Sequence, residues 1–292
     1  LSSLTGAAAS VFVCEYFKSK IADNKKSEFA TKFSAALSLG NGLLPFASPP
    51  VLIIWAVLQN KLNWDISTLL LLIGTPAIIY AFLLTFLTAK TLNKTNQQIY
   101  QKVTLSFRLL LLIVVVIANI VSYDLPAVMV LNLVVGVLAI FKGHDFHSRF
   151  GSFILGFLIL ALEIIGLEAS DFINWAAVTL IPEHVPVLIL GLILFYITAF
   201  ISHFADNALA SKLVITAAIA TPAFLTNGDF LATAVILGAL AGGFALIPAN
   251  LPNFPIARII DVSPSEWSKA ALKIYYTMAF FFVWLTGYYF VS

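Results

Sequence analysis

Charged residues are scarce in this chain. Only 10% of its 292 residues are charged, whereas a soluble globular domain carries about 25%. Hydrophobic residues make up 61% of the chain, and its mean hydropathy is +0.99. No soluble fold covers so much apolar surface, but a bilayer core of about 30 Å accepts it, because about 20 apolar residues in a helix cross such a core. The composition therefore predicts an all-α polytopic membrane protein.

Cysteine and catalytic motifs are also scarce. Cys14 is the only cysteine, which excludes an internal disulfide and a multi-cysteine metal site. The sequence has no P-loop, dinucleotide-binding glycine motif, nucleophile elbow or metalloprotease helix motif. We therefore expect no enzymatic activity, no cofactor beyond a sodium ion, and an ion gradient as the source of energy. The net charge of +2 gives no field that would attract nucleic acid.

Glycine and proline interrupt two of the long apolar stretches. Residues 28–59 contain LGNGLLPFASPP, and residues 229–259 contain AGGFALIPANLPNFP. Proline lacks a backbone donor and clashes with the preceding turn, so a helix breaks there. Broken backbone inside the hydrocarbon persists only where protein or a water-filled cavity satisfies its polar groups. Each break is therefore a candidate ion or substrate site.

The two breaks share the pattern G-x4-P-x3-P at a constant offset of 203 residues, with Gly40, Pro45 and Pro49 recurring as Gly243, Pro248 and Pro252. We predict two repeats. Residues 1–123 form a partial first repeat with a hairpin arm and a broken helix, and residues 124–292 form a second with a hairpin at 185–225 and a broken helix at 229–259. Because the chain begins at Leu1 and not at methionine, we expect its N-terminal part to be missing.

The distribution of basic residues predicts the orientation of the chain in the membrane. If each apolar stretch crosses once and 185–225 is a re-entrant hairpin, 14 of the 16 basic residues fall on one side of the membrane. That side is predicted to be cytoplasmic. The two repeats then enter from opposite sides, as inverted repeats with discontinuous helices do. We expect a multi-pass protein of the bacterial inner (cytoplasmic) membrane, with lipid as its surroundings.

The pair Asp206-Asn207 lies at the turn between two apolar arms. A carboxylate in a membrane segment is costly unless it faces a cavity or a partner, so it is a functional candidate by default. Beside an amide oxygen it can bind a hard cation, and it can take up a proton instead. The alternative is a solvated turn in which Asp206 caps the following helix. Lys212 follows in ALASKLVITAA, either to neutralise a carboxylate or to reach the interface.

Further oxygen ligands are expected at the breaks. Asn250 and Asn253 lie in PANLPNFP, next to carbonyls that the prolines leave free. The equivalents in the first repeat are uncharged: Ser3, Thr5, Asn41 and Ser48. Turn and cap chemistry is the alternative for any one of these residues. The sequence thus predicts a sodium site at Asp206, Asn207 and Asn250, with the other residues completing cation or proton binding.

Four segments carry a family resemblance: SLTGAAAS, SLGNGLLPFASPPVLI, ISHFADNALASKLV and AGGFALIPANLPNFPIARI. In order and spacing they resemble the ion transporter superfamily, most closely its sodium/proton antiporter and citrate-transporter-like branches. The resemblance implies two hairpins and two broken helices whose tips and breaks carry the ligands. By position these are Ser3 to Thr5, Asp206-Asn207, Asn41 to Ser48 and Pro248 to Asn253. It also implies a homodimer.

Three functions remain open at this point. The first is secondary active antiport of sodium, or a similar monovalent cation, against protons, with Asp206 as the shared titrating ligand. The second is ion-coupled uptake of an organic anion, which half-helix N-termini favour because their dipoles attract carboxylates. The third is a non-transporting subunit that serves as a membrane scaffold in a larger complex.

Overall fold

The computed structural model describes residues 21–42, 49–89, 185–250 and 252–291, together with positions 14, 17, 18, 162, 166, 175 and 179. All regular elements in this part of the chain are helices, which confirms the all-α prediction for it. They are α1 Lys26–Asn41, α2 Pro49–Leu62, α3 Ile66–Leu69, α4 Thr75–Ala89, α5 Val187–Phe204, α6 Asn207–Ile219, α7 Pro222–Gly242, α8 Asn253–Ile260, α9 Pro264–Leu272 and α10 Tyr276–Val291. A π-helical turn, Leu70–Gly74, joins α3 to α4.

Three of the described helical runs are long and apolar enough to cross a membrane: Ile66–Leu87, Val187–Phe204 and Pro222–Gly242. A fourth span results if α9 and α10, which are bent by 44° at their junction, count as one. The 22 residues of the first run extend about 33 Å at 1.5 Å per residue, which matches the hydrocarbon core. The described part of the chain is therefore compatible with a membrane protein.

Side-chain caps fix where two of these helices begin. The Asp65 carboxylate accepts hydrogen bonds from the Ser67 hydroxyl and from the N–H and hydroxyl of Thr68, at 2.7–2.8 Å. These bonds, the one from Ser67 first, hold the pKa of Asp65 down at about 2. At α9, Ser263 and Glu266 form a reciprocal capping box, which satisfies backbone donors that a helix start leaves free.

Helices end at both predicted interruptions. α1 ends at Asn41 and α2 begins at Pro49, while α7 ends at Gly242 and α8 begins at Asn253. Between α7 and α8 the chain forms a single 3₁₀ turn, Ile247–Ala249. Of the second break every residue except 251 is described, whereas Pro45 and the rest of 43–48 lie outside the described residues. The second break is therefore where the proline pattern predicts it.

The start of α7 differs from the sequence prediction. The predicted broken helix begins at residue 229, but α7 begins at Pro222 and includes a non-helical residue, Asn227, at φ −132° and ψ 30°. Proline at the first helical position costs no hydrogen bond, because the N–H there has no helical partner. Asn227-Gly228 resembles a turn in the sequence, yet Gly228 is packed tightly against Leu62 and the helix continues beyond this kink.

The longer described helices pack against one another across the whole described part of the chain. α1 packs against α4, and α7 packs against α10; α1 also contacts α8, and α7 contacts α2. α1 touches α7 directly. Between α4 and α10, the buried hydroxyls of Tyr80 and Thr277 are hydrogen-bonded at 2.9 Å. α5 and α6, joined by Ala205 and Asp206, pack against each other and against α7, so the junction at Asp206 lies against the helix that carries the second break.

Candidate functional site

Asp206 lies at the start of α6. Its carboxylate accepts a hydrogen bond from the backbone N–H of Ala208 at 2.8 Å, so it caps the helix. The capping alternative is thus correct in geometry, but the turn is not solvated, since Asp206 is only 8% exposed and Asn207 only 2%. A buried carboxylate beside a buried amide is an arrangement that a protein maintains at a cost unless a ligand or partner offsets it.

Asn253 holds the second break together. Its amide Nδ2 donates to the carbonyl oxygens of Gly243 and Leu246, both at 3.0 Å. Its Oδ1 accepts a hydrogen bond from the Ser34 hydroxyl on α1, and both side chains are buried. Because two carbonyls can only accept, the amide nitrogen must face them and the oxygen must face Ser34. Asn253 therefore links the end of α7, the start of α8 and α1.

Gly243 is the point at which the tip of α6 meets the break. A Cβ built on Gly243 would lie 2.9 Å from the Ser38 Oγ of α1 and 3.2 Å from the Asn207 Nδ2 of α6. The Ser38 hydroxyl donates to the Leu240 carbonyl at 3.2 Å. Glycine at this position therefore permits a close approach of three elements, α1, α6 and α7. The predicted tip Asp206-Asn207 and the predicted second break do lie side by side.

Buried polar atoms without a hydrogen-bond partner occur both on α6 and in the second break. Among the described residues, four buried side-chain atoms have no hydrogen-bond partner: His203 Nδ1, Asn207 Nδ2, Ser211 Oγ and Asn250 Nδ2. A buried polar atom without a partner costs about 1–3 kcal/mol, so such atoms are rare without a reason. Asn207 and Ser211 lie one turn apart on α6, and Asn250 lies in the break. Unused hydrogen-bonding capacity therefore lies on α6 and in the second break.

The site has a single predicted acid. No group of three or more His, Cys, Asp or Glu side chains lies together in the described ranges, so a transition-metal centre is not indicated there. One carboxylate with neutral oxygens suits a weakly held, hard monovalent cation better than a tightly bound divalent one. Lys212, which the sequence analysis considers either as a partner of a carboxylate or as an interfacial residue, is half-buried on α6.

The ligands predicted in the first repeat are largely untested by the structure. Ser3, Thr5 and Ser48 lie outside the described residues, and only the backbone of Asn41, the last residue of α1, is described. The residues of this repeat that reach the second break are Ser34 and Ser38, which the sequence interpretation does not single out. Their spacing of four residues on a helix puts them on one face, and that spacing is the one signal that could have indicated them.

Two buried tryptophans donate hydrogen bonds to segments that are distant in sequence. Trp267 donates through Nε1 to the Phe244 carbonyl in the second break at 3.0 Å, and Trp64 donates to Asp229 at 2.6 Å. Trp64 and Trp267 are separated by the same 203 residues as the two proline patterns. Phe244 follows the end of α7, where carbonyls lack helical partners. The indole of Trp267 satisfies one of them.

Replacing Trp267 with phenylalanine should therefore destabilise the fold. The ring volume is largely kept, but the buried Phe244 carbonyl loses its donor, at a cost of about 1–3 kcal/mol. The measurement is the fraction of monodisperse protein that remains after heating in detergent. Trp284→Phe is the control, because Trp284 is half-buried and stacks on Phe280. Equal heat tolerance of the two variants would contradict this role of Trp267.

Comparison of the chain with family models, with curated proteins and with solved structures finds no match.

Proposed function

We propose that the chain is a secondary active transporter that exchanges sodium, or a similar monovalent cation, for protons across a membrane. The observation that carries the proposal is the burial of Asp206 and Asn207 against the second helix break. An ionisable group inside a membrane segment is a functional candidate by default, and ion pathways are a common use of such groups. Sodium and a proton would compete for the Asp206 carboxylate, so that binding of one releases the other.

The neutral ligands fit the same proposal. Asn207, Asn250 and Asn253 each offer an amide oxygen close to irregular backbone, and a carbonyl oxygen has two lone pairs. Asn253 Oδ1 therefore accepts the Ser34 hydrogen bond and keeps a second lone pair for a cation. Hard monovalent cations prefer such oxygen ligands. One carboxylate among neutral oxygens leaves a site with a single negative charge, which one sodium ion or one proton neutralises.

The packing pattern supports a duplicated unit. The offset of 203 that relates the proline patterns and the two tryptophans also relates Ile53 to Ile256 and the segments of α1, α2 and α4 to those of α7, α8 and α10. α1 contacts α4, and their counterparts α7 and α10 also contact each other. Likewise α1 contacts α8, and the counterpart pair, α7 and α2, is also in contact. Inverted repeats that surround a site at their interface are the usual architecture of secondary transporters.

A second candidate is uptake of an organic anion. The unpartnered atoms Asn207 Nδ2 and Asn250 Nδ2 are donors, and donors suit a carboxylate group. Asn207 is the first residue of α6, a 13-residue helix whose dipole favours negative charge at its N-terminus. If this candidate is correct, cation-driven transport should depend on an added carboxylate.

Purified protein in sealed vesicles that contain a pH-sensitive dye provides the test. Sodium added outside should move protons in the opposite direction without any organic anion, and lithium should act more strongly than potassium. Empty vesicles are the control. Proton movement that needs a carboxylate would establish the second candidate instead. No response to any cation or carboxylate would refute both and favour the scaffold function.

A further inference from the structure

We infer that α1 stabilises the second helix break by hydrogen bonds to both of its sides, and that Ser34 is a positioning residue which helps to orient Asn253 in the ion site. The inference rests on the proposed function and adds to it a residue of the first repeat. Ser34 lies on α1, in the segment 26–41, whereas Asp206, Asn250 and Asn253 belong to the second repeat. One site would then be shared by both repeats.

Two serines of α1, Ser34 and Ser38, donate hydrogen bonds to opposite sides of the break. Ser38 donates to the carbonyl of Leu240, in the last turn of α7 before the break. Ser34, one turn earlier on α1, donates to Asn253, the first residue of α8 after the break. Both hydroxyls are buried. Because the described residues between Gly242 and Asn253 form a single 3₁₀ turn and no α-helix, the shape of the break depends largely on such contacts from outside.

Ser34 acts through the amide of Asn253. That amide has one orientation in which Nδ2 meets the carbonyls of Gly243 and Leu246 and Oδ1 meets the Ser34 hydroxyl. Removal of the hydroxyl leaves Oδ1 without its donor, so that the amide is held by its two Nδ2 bonds alone and its oxygen is positioned less firmly. Replacing a residue that hydrogen-bonds a cation's ligand, without touching the cation itself, typically lowers the cation affinity about 10–100-fold.

α1 provides a matched control. Thr31 lies three residues before Ser34, is equally buried, and donates its hydroxyl only to carbonyls of its own helix, Ser27 at 2.9 Å and Glu28 at 3.2 Å. Thr31→Val removes a buried hydroxyl from the same helix without touching the break. A general loss of polar contacts in α1 would therefore affect Thr31→Val and Ser34→Ala alike.

The experiment compares sodium-driven proton movement in vesicles for the wild type, Ser34→Ala, Ser34→Thr and Thr31→Val. Ser34→Ala should raise the half-saturating sodium concentration about tenfold or more with little change in the maximal rate. Ser34→Thr, which keeps a hydroxyl, should restore a value near that of the wild type. If Ser34→Ala is not recovered as folded protein, Ser34→Cys replaces it, since a thiol of similar size is a weak donor.

The outcomes separate the inference from the proposed function. A wild type that responds to sodium, with Ser34→Ala indistinguishable from Thr31→Val, overturns the inference and leaves the antiport proposal standing. A lower maximal rate at an unchanged half-saturating concentration also overturns it, because that pattern indicates fewer folded molecules and not a weaker site. A wild type that neither exchanges sodium nor gains heat stability from it overturns both.

Discussion

Asp206→Asn should reduce sodium–proton exchange to the level of empty vesicles while the protein stays folded. Asparagine is as good a helix cap as aspartate, so the hydrogen bond from the Ala208 N–H to this side chain is kept. The amide also keeps the volume and one ligand oxygen. It cannot take up or release a proton, however, and it removes the only negative charge among the predicted ligands. Coupling between the two ions should therefore be lost.

Asp65→Asn is the matched control for this variant. Asp65 caps α3 through the backbone N–H of Thr68 just as Asp206 caps α6, but Asp65 is exposed. The same chemical change at an exposed cap should leave exchange unaltered. Both variants should elute as monodisperse protein. Exchange by Asp206→Asn at the wild-type rate would show that the carboxylate is only a cap, and the proposed mechanism would be wrong.

Local backbone chemistry accounts for what could be predicted. Proline and glycine break helices through their own geometry, so the end of α7 and the start of α8 follow from the sequence between 243 and 252. A charged residue in an apolar segment is also recognisable from the sequence, because a charge is costly there. Asp206 is such a residue, and it is buried beside the break. Such signals depend on residues that are close in sequence.

Contacts between distant segments could not be predicted in this way. Ser34 in a helix of mixed composition gives no indication that its partner is Asn253, 219 residues later. The kinked start of α7 shows the same limit, because packing of Gly228 against Leu62 overrides the turn tendency of Asn-Gly. The Ser3 to Thr5 tip and most of the first break lie outside the described residues, so those predictions stay predictions.

Two glycines of α7 allow α5 and α7 to pack with their backbones close together. A Cβ on Gly238 would lie 2.4 Å from the Phe195 carbonyl oxygen, and a Cβ on Gly242 would lie 2.4 Å from that of Ala199. Both distances are below any allowed contact. The pair forms the G-x-x-x-G spacing that lets two membrane helices approach backbone to backbone. Because Gly242 is also the last residue of α7, this close contact lies directly before the second break.

Gly242→Ala should consequently cause a large loss of stability. The methyl group must push α5 and α7 apart, which costs about 1–3 kcal/mol or more in a close-packed interior. Gly287→Ala is the control, since a Cβ on Gly287 meets no atom within 4 Å. In that exposed part of α10 alanine should stabilise the helix by up to about 1 kcal/mol. Heat denaturation in detergent should therefore shift in opposite directions for the two variants. If Gly242→Ala were as heat-stable as Gly287→Ala, α5 and α7 would not pack this closely, and the position of Asp206 against the break would lose its support.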